Sequence, residues 1–173
     1  SLATNGTAAV VEFPSVLYRG GAERKIRKYL IDNNYVDTVI QLPPDLFFGT
    51  TIATCVIVLK KSKKDNSVLF VDASAEFSRV GNKNKLLSAN QDRIVELVSA
   101  RSEKPHVCTL VHNEDIAGND YNLAVSSYVE PEDTHEETDI VELNSEIARI
   151  VERQSRIRAQ LDEIIATLED SGE

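Results

Sequence analysis

Metal ligands are few in this chain. Among its 173 residues are three histidines, His106, His112 and His135, and two cysteines, Cys55 and Cys108. None has the spacing of a zinc site or a neighbouring carboxylate set, which argues against a metal centre. Both cysteines lie in apolar, strand-like contexts and read as buried free thiols rather than a disulfide. Glycine is sparse as well: there are seven, and Gly20-Gly21 is an isolated pair with no further glycine to make a phosphate or cofactor loop. No nucleophile elbow is present. There is no apolar run of about 18 residues, so no membrane span is expected. Ser1–Thr7 is polar and lacks the apolar stretch of a signal peptide, so a cytoplasmic location is expected. Internal repeats and low-complexity linkers are absent too.

What is there is one domain's worth of chain, 42 % hydrophobic, enough for a core. The net charge of −9 is unevenly placed. Residues 1–64 carry a balance of +4, residues 65–129 of −3 and residues 130–173 of −10. The acidic tail is a poor phosphate binder. The N-terminal third could face a polyanion, but its charge alone is a weak argument.

Short runs rich in Val, Ile and Thr mark strands at Thr7–Phe13, Val36–Leu42, Ala53–Leu59, Ser67–Ala73 and Val107–Val111. Ala22–Asp32 reads as a helix with Ile26, Tyr29 and Leu30 on one face and Arg24, Lys25, Arg27 and Lys28 elsewhere, ended by Asn33-Asn34. Strand, helix, strand implies a right-handed crossover and a parallel pair. Ala89–Ala100 is a second amphipathic helix, through Ile94, Val95, Leu97 and Val98, and Asn113–Ala117 a single helical turn. Residues 74–88 read as a loop and Tyr121–Val129 as extended. Between the second and third strands lies Pro43–Thr50, which the prolines exclude from helix and mid-sheet and which Gly49 allows to turn sharply. Its adjacent Phe47 and Phe48 cannot easily share one core: one is expected to pack inside and the other to stand at the rim of the sheet, where ligands bind in open α/β folds. Lys60, Lys61, Lys63 and Lys64 suit either a phosphate-contacting turn or, more simply, a solvated loop that keeps an edge soluble. Asp72, at a strand end, reads as a turn residue.

The tail carries a second signal. Glu130–Thr138 is an acidic hinge. Beyond it, Ile140, Leu143, Ile147, Ile150, Ile157, Leu161, Ile164 and Leu168, with Gln154 in the gap, alternate spacings of three and four. That is a heptad seam, widened by Val151 and Ile165. A helix of about 30 residues spans about 45 Å, far longer than the other elements. It reads as a coiled-coil arm for another chain rather than a helix packed on its own domain.

The stretch VDTVIQLPPDLFFGTTIATCVIVLKK, preceded by VLYRGGAERKIRKYLIDNNY and followed by VLFVDAS and NDYNLAVSSYV, resembles the modification subunit of type I restriction–modification systems. The resemblance runs from about Gly6 to Tyr128 and is specific as an ordered set. It implies an S-adenosylmethionine-dependent N6-adenine DNA methyltransferase as the parent. The fold it implies is the C-terminal part of a doubly wound, Rossmann-like α/β sheet over residues 1–129, followed by a hinge and helical tail over residues 130–173. Such an enzyme needs a Gly-rich turn, an acidic residue for the cofactor ribose and an Asn/Asp-Pro-Pro-aromatic motif for the adenine amine. Leu42-Pro43-Pro44-Asp45 is a decoy, because Leu42 cannot hydrogen-bond an amine. The chain is therefore expected to be a fragment holding the last three strands of that sheet, inactive alone, with the cofactor held by the missing N-terminal part.

By the same resemblance, Phe47 and Phe48 lie near a flipped adenine, and the partners are double-stranded DNA, a specificity subunit and a restriction subunit. The open edge at Thr7–Phe13 invites self-association of the fragment. The alternative is a non-enzymatic α/β interaction module with a coiled-coil arm. Asn119, Asp120 and Tyr121 match the family pattern without a chemical role that the sequence explains.

Overall fold

A computed structural model describes residues 2–131 and 140–170. Two compact units divide the chain, residues 1–132 and 133–173. In the first, five strands make one sheet: β1 (Thr7–Glu12), β2 (Val36–Gln41), β3 (Cys55–Lys60), β4 (Ser67–Asp72) and β7 (Cys108–His112). Their spatial order is β1-β3-β2-β4-β7. Only β2 and β4 pair in parallel; β3 is antiparallel to both β1 and β2, and β7 is antiparallel to β4.

The expected parallel pair of the first two strands is therefore corrected. β1 and β2 run the same way, but β3 lies between them and pairs with both. Sequence proximity favours direct pairing; here the returning hairpin strand takes the central place. β1 is left as an edge whose Val10 and Val11 are exposed.

The strands were legible because β2 and β4 are covered on both faces, which calls for near-continuous apolar runs. Val39, Val68 and Phe70 point to one face, against Leu17, Ile31, Ile116 and Leu123. Their sequence neighbours Ile40, Leu69 and Val71 point to the other, against Ile94. The helices are α1 (Ala22–Asp32) and α3 (Asn113–Gly118) on the first face and α2 (Ser88–Ala100) on the second. Cys55 and Cys108 are buried free thiols, and burial pushes the Cys55 thiol up to about 11.

Four local expectations are also corrected. On α1, Ile26 is 58 % exposed and Tyr29 is exposed, whereas Arg27 is 4 % exposed. Arg27 turns inward because its guanidinium meets backbone carbonyls, which compensates a buried cation. On α2, Val95 faces solvent while Ile94 is buried. The loop over residues 74–88 contains a small hairpin, β5 (Ser78–Val80) with β6 (Lys83–Lys85). Tyr121–Val129 is not extended: Asp120 and Tyr121 have φ of 54° and 56°, and Val125–Ser127 is a 3-10 turn.

The second unit contains α4, Ile140–Asp170, 31 residues long. Ile147, Ile150, Ile157 and Leu161 are exposed along it. The side chains of Ile140, Leu143, Ile164 and Leu168 lie outside the described ones, as does most of the acidic hinge. No described helix is long and apolar enough to cross a membrane.

Candidate nucleic-acid-facing loop

β2 and β4 run in parallel, so their C-terminal ends share one end of the sheet. The loop Pro43–Thr50 leaves from that end. Leu42 is still buried, and its N–H donates to the Thr54 carbonyl at 2.9 Å, closing the base of the loop. Asp45 then takes a left-handed backbone, φ 60°, a conformation Asp tolerates better than most residues. Gly49, at φ 79°, makes the expected sharp turn. Leu46 packs on the core.

With Leu46 filling the inward place, neither phenylalanine does. Phe47 is 44 % exposed and Phe48 is 102 % exposed, so the expectation that one of them packs in the core is corrected. An aromatic ring fully in water forgoes roughly 1.5–3 kcal/mol of burial.

The loop is held from outside, by the hairpin. The Asp45 carboxylate accepts from Lys83 Nζ at 2.5 Å and from Arg79 Nη1 at 3.1 Å. The hydrogen bond from Lys83, and then Arg79, holds the Asp45 carboxyl below the usual carboxylate range. Asn84, which is buried, donates Nδ2 to the Pro44 carbonyl at 2.8 Å and its backbone N–H to the Asp45 carbonyl at 3.2 Å. Lys83 Nζ also reaches the Phe47 and Thr50 carbonyls, each at 3.5 Å. Sequence reading missed Asp45, Arg79, Lys83 and Asn84. These partners stand more than 30 residues from Asp45 along the chain, and a polar stretch with one glycine carries no periodic signal.

Other singled-out residues go elsewhere. Asp72 accepts the Ser74 N–H at 2.9 Å, the turn role expected of it. The lysine run lies at the opposite end of the sheet from the phenylalanines, since Lys60 N–H donates to Tyr35 and Cys55 pairs with Gln41. Lys63 is not simply solvated: its Nζ donates to the Val36 carbonyl at 2.7 Å, and burial lowers its pKa to about 8.

Asn119, Asp120 and Tyr121 gain a structural role. Arg24 Nε donates to Asp120 at 2.6 Å, Lys28 Nζ to the Tyr121 hydroxyl at 2.9 Å, and Asn119 Nδ2 to the Tyr128 hydroxyl at 3.2 Å. Arg27 donates to the carbonyls of Tyr121, Val16 and Arg19 at 2.7, 2.8 and 2.7 Å. The Tyr128 ring lies 4.3 Å from that of Phe70.

The residues present do not fit an S-adenosylmethionine cradle. Gly20-Gly21 follows the 3-10 turn Pro14–Leu17 rather than a strand end. A Cβ at either glycine would meet nothing within 4 Å, so neither is there to admit a close neighbour.

Residues 1–137 match the family model described as N-6 DNA Methylase. The chain belongs to that family. This N-6 DNA methylase chain is 43 % identical over 165 residues to the methylase subunit of the type I restriction enzyme MpnII of Mycoplasma pneumoniae, covering 95 % of this chain and 30 % of that protein. It is 35 % identical over 159 residues to the MjaVII methylase subunit of Methanocaldococcus jannaschii, covering 88 % of this chain and 27 % of the relative. It thus spans about a third or less of the curated relatives it matches. Among solved structures, the type I restriction–modification methyltransferase subunit of Streptococcus thermophilus matches 72 % of the chain, and 27 % of its own length, with a TM-score of 0.70 at 41 % identity. The EcoKI M protein shares the fold, with a TM-score of 0.59 at 16 % identity, over 91 % of this chain and 41 % of that one.

Proposed function

We propose that this N-6 DNA methylase chain supplies the target-base platform and an assembly arm to a type I restriction–modification methyltransferase subunit. The whole protein transfers a methyl group from S-adenosylmethionine to N6 of adenine in double-stranded DNA. The observation that carries this reading is Phe48, fully exposed on a loop anchored at the strand-end rim of an N-6 methylase sheet. Enzymes acting on a base within a duplex flip it out and hold it against aromatic surfaces. Phe48 presents such a surface, and Phe47 flanks it. Burying the ring against a purine recovers part of what its exposure forgoes.

The chain's own residues bind and orient the base; no proton or methyl step is assigned to them. The acceptors for the adenine amine and the cofactor cradle come from the remaining length of the subunit, since Leu42-Pro43-Pro44-Asp45 lacks the first and Gly20-Gly21 the second. The 173 residues alone therefore neither bind S-adenosylmethionine nor methylate DNA. Micromolar cofactor binding to them by titration calorimetry would overturn that division of labour.

The test of the platform is Phe47→Ala and Phe48→Ala in the full-length subunit assembled on DNA. Stacking is worth roughly 1–3 kcal/mol per base, so Phe48→Ala is expected to weaken kcat/KM for DNA by a corresponding factor and Phe47→Ala by less. Both variants folding and methylating at the parental rate would rule out this loop as the platform.

The arm is α4. Its Ile/Leu seam packs on helices of the specificity subunit, and the assembly recruits a restriction subunit. Support comes from the strict heptad spacing and from Ile147, Ile150, Ile157 and Leu161 standing exposed. Each gains about 1.5–3 kcal/mol on full burial. Replacing Ile147, Ile157 and Leu161 with Asp is expected to abolish assembly with the specificity subunit; undiminished assembly would make the seam internal packing. For the isolated chain, the β1 edge and the seam both favour a second copy. A strict monomer in sedimentation at high concentration would contradict this.

A further inference from the structure

We propose that the β5–β6 hairpin is a brace that holds the Phe47–Phe48 loop ready for the base, with Asp45 as the positioning residue. This rests on the loop being the base platform. The brace stands on a separate observation, where the backbone polar groups of the loop find partners.

Among the described side-chain bonds, the loop makes only one of its own: Thr50 Oγ accepts the Ile52 N–H at 3.1 Å. Four of its carbonyls, those of Pro44, Asp45, Phe47 and Thr50, accept instead from Asn84 and Lys83 of β6. The Asp45 carboxylate is clamped between Lys83 and Arg79, one cation from each strand of the hairpin. Arg79 Nη1 also donates to the Asn84 side-chain carbonyl at 3.0 Å, which joins the clamp to the buried amide.

The hairpin meets two neighbours, the loop and, through Ser78 Oγ donating to Asn90 Oδ1 at 3.3 Å, the start of α2. Two three-residue strands are not stable by themselves. Arg79, Val80 and Lys85 are exposed, and Asn84 is the buried residue of the pair of strands. Arg79, Lys83 and Asn84 turn their polar groups to the loop. Buried polar groups are retained where each finds a partner, and here the partners are loop carbonyls. The loop in turn presents Phe48 to water, where nothing from its own side chain holds it in place.

The consequence for binding is quantitative. A platform that is ordered only part of the time binds more weakly by the fraction of time it is competent. Once the base is seated the loop is ordered by it. Loosening the brace should therefore raise KM for DNA and leave kcat at saturating DNA near the parental value. A lost structural residue would lower the stability of the whole unit instead.

The variant is Asp45→Asn, because asparagine accepts the left-handed backbone at φ 60°, removes the charge and leaves one acceptor oxygen where the carboxylate uses two. Lys83→Gln, on a partly exposed lysine, gives the same break from the other side. Amide hydrogen exchange at Asn84 in the 173-residue chain, whose N–H donates to the Asp45 carbonyl, is the first readout. We expect exchange there to quicken about tenfold, the fold-change of one charge-assisted hydrogen bond, with the urea midpoint unchanged. The second readout is KM for DNA in the full-length subunit, expected to rise while kcat holds. Unchanged exchange in both variants would overturn the brace. Faster exchange with parental KM and kcat would support the brace and overturn the base-platform reading.

Discussion

The loop Pro43–Thr50 and the turn Asn119–Val129 are built alike and end differently. Each fixes an aspartate in the left-handed region, Asp45 at φ 60° and Asp120 at φ 54°, and each neutralises it with cations from another element. In the turn, the aromatics are engaged: Tyr121 lies under Arg24 and Lys28, with those charges 5.6 and 4.9 Å from its ring, and Tyr128 stacks on Phe70. In the loop they are left in water. The same anchoring therefore serves two ends. Where the aromatics have protein partners, it holds the fold together. Where they have none, the anchoring has an external purpose, because fixing an exposed apolar ring brings no stability by itself.

The sharpest way to break this comparison is to cut the turn's anchor. Arg27 joins α1 to the Tyr121, Val16 and Arg19 carbonyls. Arg27→Met keeps the length and removes every donor. An acceptor left without a partner costs up to about 1–3 kcal/mol when buried; these three bonds are partly buried, so the variant is expected to lose about 3 kcal/mol in all in urea unfolding. A near-parental midpoint would mean that the turn is not what ties α1 to the C-terminal segment.

The next effect is a contrast between two alanine variants. Tyr128→Ala removes a ring packed on Phe70 and a hydroxyl that donates to the Asn122 carbonyl at 2.7 Å. It should cost roughly 2–3 kcal/mol. Phe48→Ala should stay within about 0.5 kcal/mol, as for an exposed site. Equal losses in thermal or urea unfolding would erase the distinction between a structural and a presented aromatic.

Legibility in the sequence followed the same division. β2 and β4 were readable because both their faces are buried, so Val39-Ile40 and Val68–Val71 had to be apolar without interruption. The order of the strands was not, since placing β3 between β1 and β2 is a tertiary choice that no local run encodes. On α1 the spacing of Ile26, Tyr29 and Leu30 suggested the buried face, yet Arg27 took part of it. Its partners are carbonyls, which look the same in every sequence, and one of them lies 94 residues away. The Phe-Phe loop is visible as a rim feature from its prolines and glycine. That both rings face outward depended on Leu46 filling the inward place. The hairpin was invisible because its strands are short and polar and its pairing is completed by the loop it braces.

Acid should have the smallest effect, and it tests whether the two anchors are alike. Lys83, and then Arg79, keeps the Asp45 carboxyl below its ordinary value; Arg24 does the same for Asp120. Arg101 and Ser67 hold Asp65 at about 2, a third anchored carboxylate for comparison. A carboxyl whose folded pKa is depressed stabilises the fold above the unfolded value, about 3.9. That contribution fades as pH falls through the folded value. Between pH 7 and about pH 5 neither anchor should change. Below about pH 3.9 both should weaken together, Asp45 releasing Lys83 and Asp120 releasing Arg24. Because both pairs are partly solvated, the loss is small and screened by salt. Carbon-13 NMR titration of the two carboxyls reads it directly. Both are expected to titrate below the ordinary aspartate range, with amide exchange at Asn84, which donates to the Asp45 carbonyl, quickening as Asp45 protonates. If Asp45 titrates as an ordinary surface aspartate while Asp120 does not, the loop is not clamped in solution and the likeness between the two regions ends at their backbones.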